Sequence, residues 1–368
     1  MAEHTQRHLG LDVIRCIALF SVIAVHFFLN TQIYDLTVSA TPVSLYLYLR
    51  SALMISIPLF LMSSGYLLKN KKASGAYYLR LARILFFYVA ASLVFAFYRR
   101  VLVREELSWL DAFWGLFSFS TLSYSWYIEM YWGLFLLIPF LNILYAGLES
   151  RKQKQWLIAT LIFLTAAPGM VNIYHFSDWH WWLNPSSSHA YQNLIPEWWT
   201  GIYPLTYYFL GCYLREYPLQ LPPRRYWLLI PGCILLAGSY NLYRSWGSSF
   251  LWGPWQDWSS GFSLVLSVLI FSLCSQGSYR HLGKFSGKVI SRVAELSLGA
   301  YLLSQLFDHW FYSILNSLVP EIPRRLVWFP VAVAVVLTLS VAGSYVLNIL
   351  YQNTLGRLVD RLQEKMTA

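Results

Sequence analysis

LDVIRCIALFSVIAVHFFL, residues 11–29, decides what kind of protein this is. It is about as long as the 20 or so apolar residues a helix needs to cross hydrocarbon. Yet it carries Asp12, Arg15 and His26. Those charges, and the lack of a small-residue cleavage site, argue against a removable signal peptide. The run reads as a first membrane helix.

Comparable stretches recur at roughly 45–68, 80–100, 126–147, 156–174, 199–215, 226–243, 258–276, 289–315 and 326–350. The composition agrees: 57% of the 368 residues are hydrophobic and 18% aromatic, with 12% charged against about 25% in soluble domains. A soluble globular fold is excluded, and little chain remains for an extramembrane domain. No internal repeat, linker or inverted-repeat symmetry divides the sequence. The expected fold is an all-α membrane protein, a bundle of about ten transmembrane helices forming a single domain over 1–368.

The net charge of +10 would suggest nucleic acid if it formed one patch. Instead the basic residues lie in short clusters between apolar runs, which is a topology signal and implies no nucleic-acid partner. Arg99, Arg100, Arg104, Arg244, Arg324 and Arg325 fall in connections on one side. All the other lysines and arginines, apart from Arg15 and Arg50 within apolar runs, fall in the tails and in 69–83, 148–155, 215–225 and 277–292. That bias predicts both termini in the cytoplasm. In connection 99–125 the arginines are matched by Glu105, Glu106 and Asp111, so it is expected along the membrane surface or partly buried. Connection 175–198, HFSDWHWWLNPSSSHAYQNLIPEW, has no Lys or Arg; its tryptophans suit interfacial anchoring, or sugar faces. Cys16, Cys212, Cys233 and Cys274 lie in apolar segments without metal-ligand spacing, so they read as packing residues and no metal is expected.

An ionisable group inside a span costs about 2.5–3.5 kcal/mol even on the lower scales, so each one is a functional hypothesis. Arg15 and His26 are eleven helical steps apart, which puts them within about 20° of one face and about 16 Å apart along the axis. An anion-binding group at the mouth and a proton-transfer group deep inside suit a ligand that enters end-on. A snorkelling anchor and a satisfied core histidine fit the spacing equally. Arg80 and Arg83, at i and i+3, share a face and can fork around phosphate oxygens, or serve as plain inside anchors. Lys69, Lys71 and Lys72 make the same mouth positive. Glu129, opening a helix that enters from the other side, is expected to meet and orient His26, or to belong to a structural ion pair. Arg50, Glu295, Asp308 and His309 are further polar groups in apolar runs.

Several segments, in order, carry a resemblance: LDVIRCIALFSVIAVHF with Arg15 and His26, IPLFLMSSGYLL at 57–68, LRLAR with Arg80 and Arg83, SYSWYIEMYW with Trp126, LTYYFLGCYL at 205–214 and ELSLGAYLLS at 295–304. Together they resemble the integral-membrane acyltransferase-three family. The resemblance implies an O-acyltransferase of a bacterial cell (inner) membrane. It would take acyl-CoA, acetyl-CoA in the simplest case, from the cytoplasm as donor substrate, and acylate a sugar hydroxyl on an outer-face envelope glycan or lipid-linked sugar. Members that O-acetylate surface polysaccharides are similar in layout. By position, Arg15 and His26 match the family's functional pair and Arg80 and Arg83 its donor-mouth pair. Where many members have histidine, this sequence has Ser304, which departs from the pattern. The competing readings are a polysaccharide or lipid-linked-sugar exporter without covalent chemistry, and a sensory or scaffold module that keeps the fold alone.

Overall fold

A computed structural model describes residues 8–106, 108–187, 191–279 and 281–367. Arg7 and Arg280, both part of the charge pattern, lie outside the described residues. The principal helices are α1 (Leu9–Asn30), α2 (Tyr46–Leu53), α3 (Ser56–Leu68), α4 (Leu81–Phe97), α5 (Trp109–Phe117), α6 (Trp126–Ala146), α7 (Arg151–Thr165), α8 (Tyr203–Glu216), α9 (Pro223–Ser245), α10 (Gly261–Ser275), α11 (Lys284–Leu318), α12 (Phe329–Asn353) and α13 (Leu355–Thr367). Among the described residues the only β-pairing is an isolated bridge between Val38 and Trp246.

Each of the ten apolar stretches is helical over most of its length. Among the described residues six helical segments are long and apolar enough to cross a membrane by length and composition: Leu9–Asn30, Pro42–Leu68, Gly75–Val103, Ser123–Ala146, Pro254–Ser275 and Ile322–Asn353. The shortfall from ten has physical causes. With 15 and 14 residues, α7 and α8 are shorter than the roughly 20 needed to span unaided. The other two are continuous helices whose apolar character is lowered by polar residues, Asn241 and Arg244 in α9 and Glu295 and Asp308 in α11.

By its contacts the chain divides into two compact units. One comprises the chain up to Leu67, Leu148–Ala294 and Glu321–Val327; the other comprises Leu68–Gly147, Glu295–Pro320 and Trp328 onward. In the first unit α3 meets α8 through two glycines. A Cβ on Gly65 would collide with the Tyr208 carbonyl oxygen, and one on Gly211 with that of Met62. Small residues that let backbones approach are how helices associate where lipid supplies no hydrophobic drive. α2 and α9 are joined by polar bonds: Asn241 Nδ2 donates to Ser51 Oγ (3.2 Å), and Trp255 Nε1 donates to Asn241 Oδ1 (3.1 Å). α7 begins with a capping box in which Ser150 and Gln153 satisfy each other's backbone N–H groups.

In the second unit the Tyr77 ring stacks on Phe135 at 4.5 Å while its hydroxyl donates to the Phe135 carbonyl (2.6 Å). Asn142 Nδ2 donates to the carbonyls of Leu68 and Lys71, both at 2.8 Å. Tyr124 is held by α11: its N–H donates to Gln305 Oε1 (3.0 Å), its hydroxyl to Asp308 Oδ2 (2.9 Å), and its carbonyl accepts from the Tyr301 hydroxyl. A π-helical turn extends α4 to Val103, Arg99 pairs with Glu105, and α5 leaves Trp109, Leu110, Phe113, Trp114 and Phe117 exposed, an apolar face suited to the membrane boundary.

Candidate functional site

Arg15 and His26 both lie on α1 in the first unit, and both are half-buried. Along the same helical line between them sit Leu19 (0% exposed) and Val22 (3%), so this line faces protein. Exposed positions on α1 are few, Phe20 and Leu29 among them. Such enclosure disfavours a snorkelling role for Arg15, which needs a path to water along a lipid-facing surface. Neighbouring positions fix the helix. Asp12, buried, accepts from Ser291 Oγ (2.6 Å), and the Cys16 thiol points at the Ile290 carbonyl (3.4 Å). Asn30 Nδ2 donates to the His26 carbonyl (2.8 Å) at the end of the helix.

Arg80 and Arg83 lie in the second unit at the start of α4, and they differ. Arg80 is exposed. Arg83 is half-buried: its Nη2 donates to Asn348 Oδ1 (3.1 Å), and its guanidinium lies 5.8 Å from the ring centres of Phe87 and Tyr351. Lys69, Lys71 and Lys72 belong to the same unit. Together they form a cationic end with one oriented arginine and one free to move, an arrangement that accepts phosphate oxygens.

Glu129 is in the first turn of α6, in the second unit, and is exposed. It shares a helical stripe with Gly133, Leu136 and Phe140, all exposed as well. Its electrostatic neighbour there is the Tyr88 phenol. Ser304 is fully buried and donates to the Tyr301 carbonyl (2.7 Å), a bond back to its own helix. Other polar groups of α11 are Gln305, the next residue, and Asp308, one turn on, both bonded to Tyr124. Among the described residues no three His, Cys, Asp or Glu side chains come together as metal ligands do.

Two arginines have roles that the sequence alone did not reveal. Arg244, counted above with a connection, is 0% exposed. Its guanidinium lies 3.8 Å from the Trp255 ring centre, 4.9 Å from Trp181 and 5.1 Å from Tyr191, and it donates to the Ile173 carbonyl (3.0 Å) and the Tyr191 (2.8 Å) and Tyr240 (3.2 Å) hydroxyls. From connection 175–198, Trp181 and Tyr191 thus close on a cation taken from α9. The tryptophans of that connection split accordingly: Trp181 is buried, while Trp179 and Trp198 are exposed as interfacial anchors are. Arg50 (3% exposed) is boxed by Phe250, Trp252 and Tyr34, and its Nε donates to the Tyr34 hydroxyl (3.0 Å). A separate groove of about 280 Å³ is lined by Leu183, Asn184, Pro185, Ser239, Leu242, Tyr243 and Trp246. For Arg244 a signal did exist in the sequence, since Tyr240, Asn241, Tyr243 and Trp246 crowd around it; Arg50 has only Tyr46 and Tyr48 nearby.

A family model described as an acyltransferase domain, that of the acyltransferase-three family, matches residues 8–349. No curated protein and no solved structure matches the chain.

Proposed function

The chain belongs to this family of membrane acyltransferases, and we propose that it moves an acetyl group from cytoplasmic acetyl-CoA to a hydroxyl of an envelope glycan or lipid-linked sugar at the outer face of a bacterial inner membrane. The observation that carries this reading is the enclosed line of α1, with a cation near one end and an imidazole about 16 Å further along. Ten crossings with both termini cytoplasmic belong to the same proposal, as does one catalytic domain over the whole chain. The basic clusters support that orientation.

In this mechanism Arg80, Arg83 and Arg15 bind the phosphates of the donor, and the thioester end reaches His26. His26 then takes the proton of the acceptor hydroxyl as its oxygen attacks the thioester carbonyl. The C–S bond breaks, and the CoA thiolate leaves and regains a proton. Alternatively the imidazole attacks first, releasing CoA and forming an acyl-imidazole that the acceptor hydroxyl then opens. The two routes share every residue and differ in whether an acyl-enzyme accumulates. Glu129 is proposed as the carboxylate that supports His26; its exposed stripe gives this role the least structural support of the five.

The test is acyl transfer or hydrolysis by the purified protein in lipid. His26→Ala should lower turnover by about 10²-fold or more, the scale of general acid–base catalysis, with its thermal unfolding unchanged. Wild-type turnover in that variant overturns the proposal. The Arg80→Ala, Arg83→Ala double variant should weaken acetyl-CoA binding in a titration, and unchanged affinity removes the phosphate role. A protein that binds no acyl-CoA at all and moves sugar unaltered is the exporter instead.

A further inference from the structure

We propose that a groove formed by α7, α8 and α10 is a binding site for an anionic phospholipid, with the lipid phosphate on Arg151 and an acyl chain along the apolar floor. The groove encloses about 820 Å³, within the range of specific ligand sites. All of it lies in the first unit.

Its lining is graded. At one end are Arg151, Gln155, Tyr213 and Tyr217; along the rest run Ile158, Ile162, Leu210, Leu214 and Val268. On α7 the gradient runs from Arg151 to Ile162, eleven residues or about 16 Å. On α8 the polar Tyr213 and Glu216 lie toward the C-terminal end, with Tyr217 just past it, while Leu210 and Leu214 add to the apolar lining. About 16 Å is close to one leaflet of a hydrocarbon core some 30 Å thick. A groove with that depth, open beside the exposed Ala159 and polar at one end only, has the outline of a single phospholipid.

The polar end is prepared for an anion. Arg151 donates its Nε to the Tyr213 hydroxyl (3.1 Å), and its guanidinium lies 4.9 Å from the Tyr217 ring centre. Gln155 Nε2 donates to the same Tyr213 hydroxyl (2.9 Å), fixing it. This orients the fork while its two Nη groups make no bond with any described residue. Glu216 also lines this end of the groove, and its carboxylate is paired with Lys154 Nζ at 2.8 Å. Two oriented Nη donors match a phosphate bidentately, which an ammonium does not. The orientation proposed above puts this end at the cytoplasmic surface, where anionic lipid is attracted to basic residues. The site is separate from the residues given roles in acyl transfer, so its test does not depend on activity.

The experiment is native mass spectrometry of the detergent-purified full chain, delipidated and titrated with dioleoyl phosphatidylglycerol or dioleoyl phosphatidylcholine. Wild type should retain one phosphatidylglycerol in preference to phosphatidylcholine. Arg151→Ala should bind it about fivefold more weakly. Ala159→Trp, which fills the groove from its exposed side and keeps the charge, should lose it as well. Both variants should unfold at the wild-type temperature in lipid-free detergent. Equal phosphatidylglycerol retention in wild type and Arg151→Ala overturns the proposal. So does displacement of the lipid by inorganic phosphate or CoA, which would assign the arginine to a free phosphate instead.

Discussion

Arg244 shows how far a residue's role departs from its place in the sequence. Burying a guanidinium is costly unless hydrogen bonds and ring faces replace its water. Here a carbonyl, two hydroxyls and the Trp255 face replace it, each desolvated cation–π contact contributing about 2 kcal/mol. Arg244→Ala should therefore destabilise the first unit by about 2–4 kcal/mol, since it leaves the Ile173 carbonyl and the ring cage unfilled. Arg244→Lys should recover less than half of that loss, because an ammonium neither stacks nor forks. Thermal unfolding in detergent measures both. Full rescue by lysine would mean that only the charge matters. The sequence showed that Arg244 stood near aromatic residues but gave no means of knowing that they converge. That convergence depends on Trp181 and Trp255, far apart in the chain, and only folding joins them. Arg15 and His26 were legible for the opposite reason: one helix relates them, and the 100° step per residue is fixed by backbone geometry.

Helices were legible as elements because apolar runs in lipid leave the backbone little choice but internal hydrogen bonding. Every stretch named from hydropathy is helical. Their number as crossings was less legible, since α7 and α8 are short and depend on their neighbours. The contact between α3 and α8 explains two of the segments that carry the family resemblance: IPLFLMSSGYLL and LTYYFLGCYL each supply one glycine to the same crossing. At Gly65 the atom in the way is a backbone oxygen, which cannot rotate aside as a flexible side chain would. Gly65→Ala and Gly211→Ala should each cost about 1–3 kcal/mol or more from overpacking, and the double variant less than the sum, because separating the helices once relieves both clashes. Unfolding of the four proteins forms the cycle. Strict additivity would show that the two contacts yield independently. Ser304 belongs at this scale too. Its hydroxyl closes on its own helix, while Gln305 and Asp308 of α11 hold Tyr124.

For the molecule as a whole, orientation is set by charge that is free to be counted. The sequence placed six arginines on the outer side; the structure shows that most of these are engaged. Arg244 is caged, Arg325 donates from Nη1 to the Thr31 carbonyl and Gln32 Oε1 (both 3.0 Å), Arg99 pairs with Glu105, Arg324 pairs with Glu321 at 2.7 Å, and Arg100 lies 5.0 Å from the Trp109 ring centre. The other side of the count holds exposed cations such as Lys72 and Arg80, together with engaged ones such as Arg83 and Lys154. In the orientation proposed above, the exposed Lys72 and Arg80 face the cytoplasm. It follows that in intact cells a membrane-impermeant maleimide should label Trp198→Cys, at a site 90% exposed in the outer connection. The same reagent should label Lys72→Cys only after the membrane is permeabilised. The native cysteines, buried or half-buried, should contribute little background. The reverse pattern would invert the orientation and put the Arg80 and Arg83 end outside, away from any cytoplasmic acyl donor, and the proposed direction of transfer would fall with it.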